Sequence, residues 1–166
     1  YKYILNITHY FWFHLTCWKK ILFIQGHPFD HDFFPIPYYL LSSRPFVSFL
    51  SCHQTGCYPD MWGKIKHLQP WKKALRHRSM TPATSSFGQW WDTYLQIPRP
   101  ASHQFHWAPG GIFSVSKHLI QQRPRTYYQH LRNSLQHSPN PEEGHYLERS
   151  WYHLFSYLSH KDKLTN

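Results

Sequence analysis

The chain has 166 residues, 41% hydrophobic and 19% aromatic, with 18 Lys and Arg against 8 Asp and Glu, a formal charge of +10. That length suits one domain able to bury a core, and the apolar and aromatic content excludes a disordered chain. Seven glycines without a period exclude collagen, and three cysteines are too few for a disulfide scaffold.

The acids can all be named: Asp30, Asp32, Asp60, Asp92, Glu142, Glu143, Glu148 and Asp162. Any carboxylate chemistry must use one of these eight. The chain begins at Tyr1 rather than Met. It therefore reads as a fragment, a processed form or an incomplete gene model.

The apolar opening, residues 1–24, is broken by Lys2, Asn6, His9, His14, Lys19 and Lys20. A spanning helix needs about 20 mostly apolar residues, and a signal peptide needs a clean apolar core with a small-residue cleavage site. Neither pattern fits, so the segment reads as a buried amphipathic helix followed by a strand. An anchor or signal, if the natural protein has one, precedes Tyr1; an anchored form would belong to the secretory pathway or Golgi. Asn6-Ile7-Thr8 is a glycosylation sequon, which matters only in a luminal chain. Cys17, Cys52 and Cys57, with His53, lack the second ligand pair of a structural zinc site and read as ordinary thiols.

Residues 21–24, Ile-Leu-Phe-Ile, form a continuous apolar run between Lys19-Lys20 and Gln25-Gly26. Such a run reads as a fully buried strand of an α/β sheet. Gly26, Pro28 and Pro35 force a loop, and residues 37–41 suit one helical turn. Residues 44–85 show no sustained period and carry Lys64, Lys66, Lys72, Lys73, Arg76 and Arg78. They read as an irregular segment or an insertion. From 87 to 95 the aromatics Trp90, Trp91 and Tyr94 recur at near-helical spacing and read as core.

The last third is the most orderly. Gly110-Gly111 leads into a strand at 112–115, and Ser116 caps a short helix through Ile120. Pro124 takes a first helical position, and Tyr127, Tyr128, Leu131 and Leu135 mark one face of the helix that follows. Pro139 and Pro141 end it. A last helix spans about 142–159, with Leu147, Trp151, Leu154, Phe155 and Leu158 on one stripe and Glu142 and Glu143 at its electropositive start. This order predicts one mixed α/β domain over 1–166, in three layers, with a small mostly parallel sheet flanked by helices.

Three places can carry chemistry. Gln25-Gly26-His27-Pro28-Phe29-Asp30-His31-Asp32 directly follows a predicted strand, where α/β sheets bind ligands. Its Asp-x-Asp pair, with His31, suits Mg²⁺ or Mn²⁺ bound against a diphosphate; the plainer reading is that Asp30 caps a turn. Glu148 lies at the edge of the last helix's apolar stripe and suits a general base, or else an exposed structural glutamate. Trp107-Ala108-Pro109-Gly110-Gly111 allows close backbone approach to a ligand beneath a stacking indole, or is a tight turn before a strand. It has no phosphate-loop pattern.

Together these regions resemble one family. The apolar strand running into Gln25-Gly26-His27-Pro28-Phe29-Asp30-His31 is similar to its first signature. Gly111-Ile112-Phe113-Ser114-Val115-Ser116, with Ile120, Arg123-Pro124 and Tyr127 or Tyr128, resembles its second. Glu148-Arg149-Ser150-Trp151 with Phe155 resembles its third. The family is a domain of unknown function, DUF3431, found in fungi, algae and bacteria, and the resemblance covers about 1–41 and 86–158.

The family's layout is similar to GT-A type glycosyltransferases. The resemblance thus implies a glycosyltransferase-like domain truncated before Tyr1, transferring from a nucleotide sugar to an unidentified acceptor. Asp30, Asp32 and His31 would hold the metal, Gln25, Gly26, His27, Trp107, Gly110 and Gly111 would line the substrate, and Asp30 and Glu148 would be catalytic. Two alternatives stand beside it. One is an inactive remnant or mis-called gene product. The other is a basic nucleic-acid binder, although no recognised motif appears and net charge argues only for non-specific contact.

Overall fold

The computed structural model describes residues 19–23, 43–48, 52–53, 62–63, 65, 67, 69–101, 105–107, 111 and 113–165. Strands β1 (Lys20–Phe23) and β2 (Phe46–Ser48) flank a central β5 (Phe113–Ser116). A second pair joins β3 (Cys52–His53) to β4 (His106–Trp107). Helix α1 spans Gln69–Arg76, and α2 (Phe87–Trp90) runs into a π-helical turn, Trp91–Leu95. Helices α3 (Lys117–Gln121), α4 (Arg125–Asn133) and α5 (Glu143–Thr165) follow.

The sheet corrects the expectation of a mostly parallel, GT-A-like one. Both β1 and β2 run antiparallel to β5, with Ile21 opposite Val115 and Val47 opposite Ser114. The β3–β4 pair is also antiparallel, and the only parallel pairing among the described residues is the isolated bridge Thr81–Pro141. The expectation took a continuous apolar run as a strand buried on both faces, the mark of parallel sheets. Yet β1 is an edge strand and only half-buried, whereas β5, with its polar Ser114, is the buried one.

Ring stacking builds the core. Phe113 on β5 lies 4.7 Å from Phe23 and 5.6 Å from Phe46, and on its helical side packs against Trp151 and Phe155 of α5. The stripe Leu147, Trp151, Leu154, Phe155 and Leu158 is buried, as its spacing predicts. Nearer the start of α5, Tyr146 meets Phe87 and Trp90, and Trp62 lies flat on Phe87 and edge-on to Trp91. Helix α5, with 23 residues, is therefore the shared wall of both halves. No helix among the described residues is long and apolar enough to cross a membrane.

The helix starts follow local chemistry. Ser116 Oγ accepts from Leu119 N–H, the expected cap of α3. Ser86 and Gln89 close a reciprocal capping box at α2. Pro124 stands one place earlier than expected, in the flanking position, and α4 begins at Arg125. The 44–85 stretch contributes β2 to the main sheet, Ile65 and Met80 to the buried set, and α1 to the surface.

Candidate functional site

The first turns of α5 and the residue before it carry three of the eight acids, and the fold uses each differently. Pro141 stops the preceding segment, and Thr81 holds this start from both sides: its N–H donates to Asn140 O (2.9 Å), and its carbonyl accepts from Glu142 N–H (2.9 Å). Glu142 thereby faces inward. Its Oε1 accepts from His67 Nε2 at 2.7 Å, and its Oε2 accepts from Ala83 N–H at 2.9 Å. Burial by itself would raise the Glu142 pKa. The hydrogen bonds from His67 and Ala83, with the charges of His67 and His145, outweigh it and hold the carboxyl below the usual value.

Glu143 is buried too. Its Oε1 accepts from Thr84 N–H at 3.0 Å, and its Oε2 lies 3.4 Å from His137 Nε2. Both acids therefore tie residues 81–84 to the start of α5, where the helix dipole also favours negative charge.

Glu148 differs. It lies one turn further on, with its side chain about a quarter exposed, and its Oε2 stands 3.5 Å from His145 Nδ1. His145 is buried among rings: His67 lies edge-on at 5.1 Å and Trp71 of α1 at 4.6 Å. Trp71 keeps 37% of its surface in solvent. His67 is 5% exposed, and among the described residues its Nδ1 has no hydrogen-bond partner. The result is a chain of ionisable groups from the buried Glu142–His67 pair through His145 to the accessible Glu148, beside an exposed indole.

Among the described residues, the candidate base Glu148 is set beside other titratable groups. Gly111 has φ +65°, in the left-handed region that favours glycine, as a tight turn before β5 requires. Trp107 lies on β4, paired with Cys52. Gln25, Gly26, His27, Asp30, His31, Asp32 and Gly110, like Asn6, Cys17 and Cys57, lie outside the described residues. Among the described residues no group of three or more His, Cys, Asp or Glu side chains is arranged to hold a metal ion. Sequence reasoning missed His67, His145 and Trp71. The available signal was Glu142-Glu143 in an acid-poor chain, since scarce carboxylates at a helix start invite basic partners from elsewhere.

The chain belongs to a family of unknown function: the model described as protein of unknown function (DUF3431) matches residues 40–163. That span contains the second and third signatures, the 44–85 stretch and every member of the Glu142–His67–His145–Glu148 cluster; the first signature lies before it. No curated protein and no solved structure matches the chain.

Proposed function

We propose that this chain is a glycosyltransferase-like domain in which Glu148 is the acceptor-side base. The observation that supports this reading is the placement of Glu148: accessible, 3.5 Å from a buried imidazole, and on the same cluster as the exposed Trp71. Aromatic faces with a few convergent polar groups make up most small-ligand sites, and an indole offers a flat surface to a sugar ring. Glu148 takes the proton of an acceptor hydroxyl as its oxygen bonds to the anomeric carbon. The bond from that carbon to the phosphate oxygen breaks, and the nucleoside diphosphate leaves with the electron pair. His145 positions the carboxylate, and the buried Glu142–His67 pair fixes His145 by ring contact.

The Mg²⁺ or Mn²⁺ of this reading, and its ligands Asp30, Asp32 and His31, are assigned from the sequence alone; the described residues offer no set for a metal, and no step here runs through one.

The test is release of nucleoside diphosphate from uridine and guanosine diphosphate sugars by the 166-residue chain, compared with E148Q and Trp71→Ala. E148Q is expected to lower turnover at least about 100-fold, the usual worth of a general base, with the fold intact. Trp71→Ala is expected to raise KM more than it lowers kcat. Equal turnover by E148Q and the parent chain, or no turnover of any donor by the parent, would sink the reading.

A further inference from the structure

The strongest feature outside the cluster is the outer face of α1. Residues 61–91 contain no Asp or Glu, yet hold Lys64, Lys66, Lys72, Lys73, Arg76 and Arg78, six of the chain's 18 Lys and Arg. Helical spacing divides α1 cleanly. Trp71, Ala74 and Leu75 share the side turned to the protein, where Trp71 meets His145 and the other two are half-buried. Lys72, Lys73 and Arg76 share the opposite side, all exposed. Arg78, just past the helix end in the left-handed region, continues the stripe, with its N–H bonded to Leu75 O at 3.1 Å.

Among the described residues none of these four cations has an ion-pair or hydrogen-bond partner for its side chain. A face that serves only solubility mixes both signs. The helix dipole accounts for basic groups in the last turn, such as Lys73 and Arg76, but not for Lys72 in the middle.

We propose that this stripe docks the phosphate backbone of a nucleic-acid duplex without reading its sequence. Charge complementarity carries the assignment: a duplex presents a dense line of negative charge, about one per 1.7 Å of axis, that a row of unpaired cations neutralises with release of counterions. Single strands are held by bases stacked on exposed aromatic rings. The Lys72, Lys73 and Arg76 side of α1 has none: Trp71, although 37% exposed, lies on the other side of the helix against His145. For the same reason the face has no apolar group to insert into a membrane. The surface is independent of the transferase reading.

The experiment measures binding of the full 166-residue chain to a short mixed-sequence DNA duplex over a series of salt concentrations. Two triple variants serve as comparison: Lys72→Gln/Lys73→Gln/Arg76→Gln on the stripe, and Lys19→Gln/Lys117→Gln/Arg125→Gln elsewhere. Both remove three charges from positions with some solvent exposure, and thermal melting checks that each is folded. The stripe variant is expected to bind at least tenfold more weakly, and its log K against log salt slope to become shallower by about 3, close to one for each phosphate left without its cation. The second variant is expected to change the slope by less than one. Equal weakening in the two variants would overturn the proposal, leaving net charge as the whole cause. So would tighter binding of the single strand, binding of vesicles rich in anionic lipid but not of duplex, or no binding to duplex at low salt.

Discussion

His67 and Glu142 are 75 positions apart in the chain and 2.7 Å apart in space. Nothing in the local sequence of either pairs them, yet their contact fastens His67 to the start of α5. Removing one partner leaves the other buried and unmatched, which costs more than the pair itself contributes. His67→Ala is expected to destabilise the fold by about 2–3 kcal/mol, read from the denaturant midpoint. Glu142→Ala is expected to cost as much, because it also strands the Ala83 N–H. The double variant should cost much less than the sum of the two.

The Glu142 carboxyl is held below its ordinary value, despite burial, by His67 and the Ala83 N–H. Its folded pKa is thus below its unfolded one, so its contribution is complete above about 4.5 and is lost as the pH falls through the folded value. Glu142→Gln should flatten the melting temperature against pH in that acid range and leave the slope above pH 5 alone.

His153 governs a different window. It is buried, close to His106, Phe105 and Trp91. Burial first, and then His106, push its pKa from 6.5 down to about 4, and the backbone N–H of His106 donates to its Nε2 at 3.1 Å. That bond needs a neutral imidazole acceptor, and protonation breaks it. With the folded pKa lowered, the unfolded chain binds the extra proton between the two values, and stability falls as the pH drops from about 6.5 to 4. The full difference is about 3 kcal/mol, at about 1.4 kcal/mol for each pH unit. His153→Gln keeps an acceptor for His106 and does not titrate, so its melting temperature should be flatter across that window. An unchanged slope would place the acid sensitivity elsewhere.

Ser86 tests the value of a signal readable without any structure. Ser86-x-x-Gln89 has the pattern of a capping box, and the structure closes it: Ser86 Oγ accepts from Gln89 N–H at 3.2 Å, and Gln89 Oε1 accepts from Ser86 N–H at 3.0 Å. Helix α2 is only four residues long, so its start matters to the π-helical turn behind it. Ser86→Ala should cost about 1 kcal/mol, and Ser86→Asn much less.

Signals that lie within a few residues of one another were legible. The Ser116 cap, the strand before it and the five-residue apolar stripe of α5 all follow from spacing, because each is settled by hydrogen bonds or burial local to the element. The direction of the sheet was not, since it depends on which strands residues 20–23 and 46–48 find far along the chain. In the candidate site, Glu148 stood out in the sequence as a rare acid at the edge of an apolar helical stripe. His145, three residues away, did not, because one histidine among 15 carries no local mark. Trp71 sits in a basic, unperiodic stretch, and only the fold shows that its ring reaches His145.

The π-helical turn gives the last expectation. Trp91 is fully buried at its start, and its Nε1–H donates to Ile97 O at 2.8 Å, closing a loop around the left-handed Gln96. Tyr127 OH donates to Leu95 O at 2.7 Å and fixes the other end of the turn to α4. The indole thus has two roles, filling volume among Trp62, Phe87 and Phe105 and satisfying a buried carbonyl. Trp91→Ala removes both and should cost about 3–5 kcal/mol, near the limit a domain of this size tolerates. Trp91→Phe keeps most of the packing and strands Ile97 O, so it should cost about 1–3 kcal/mol. Tyr127→Phe removes one hydrogen bond and no volume, for about 1 kcal/mol. If Trp91→Phe were as damaging as Trp91→Ala, the hydrogen bond to Ile97 rather than ring volume would be what holds the π turn; if it were neutral, packing alone would.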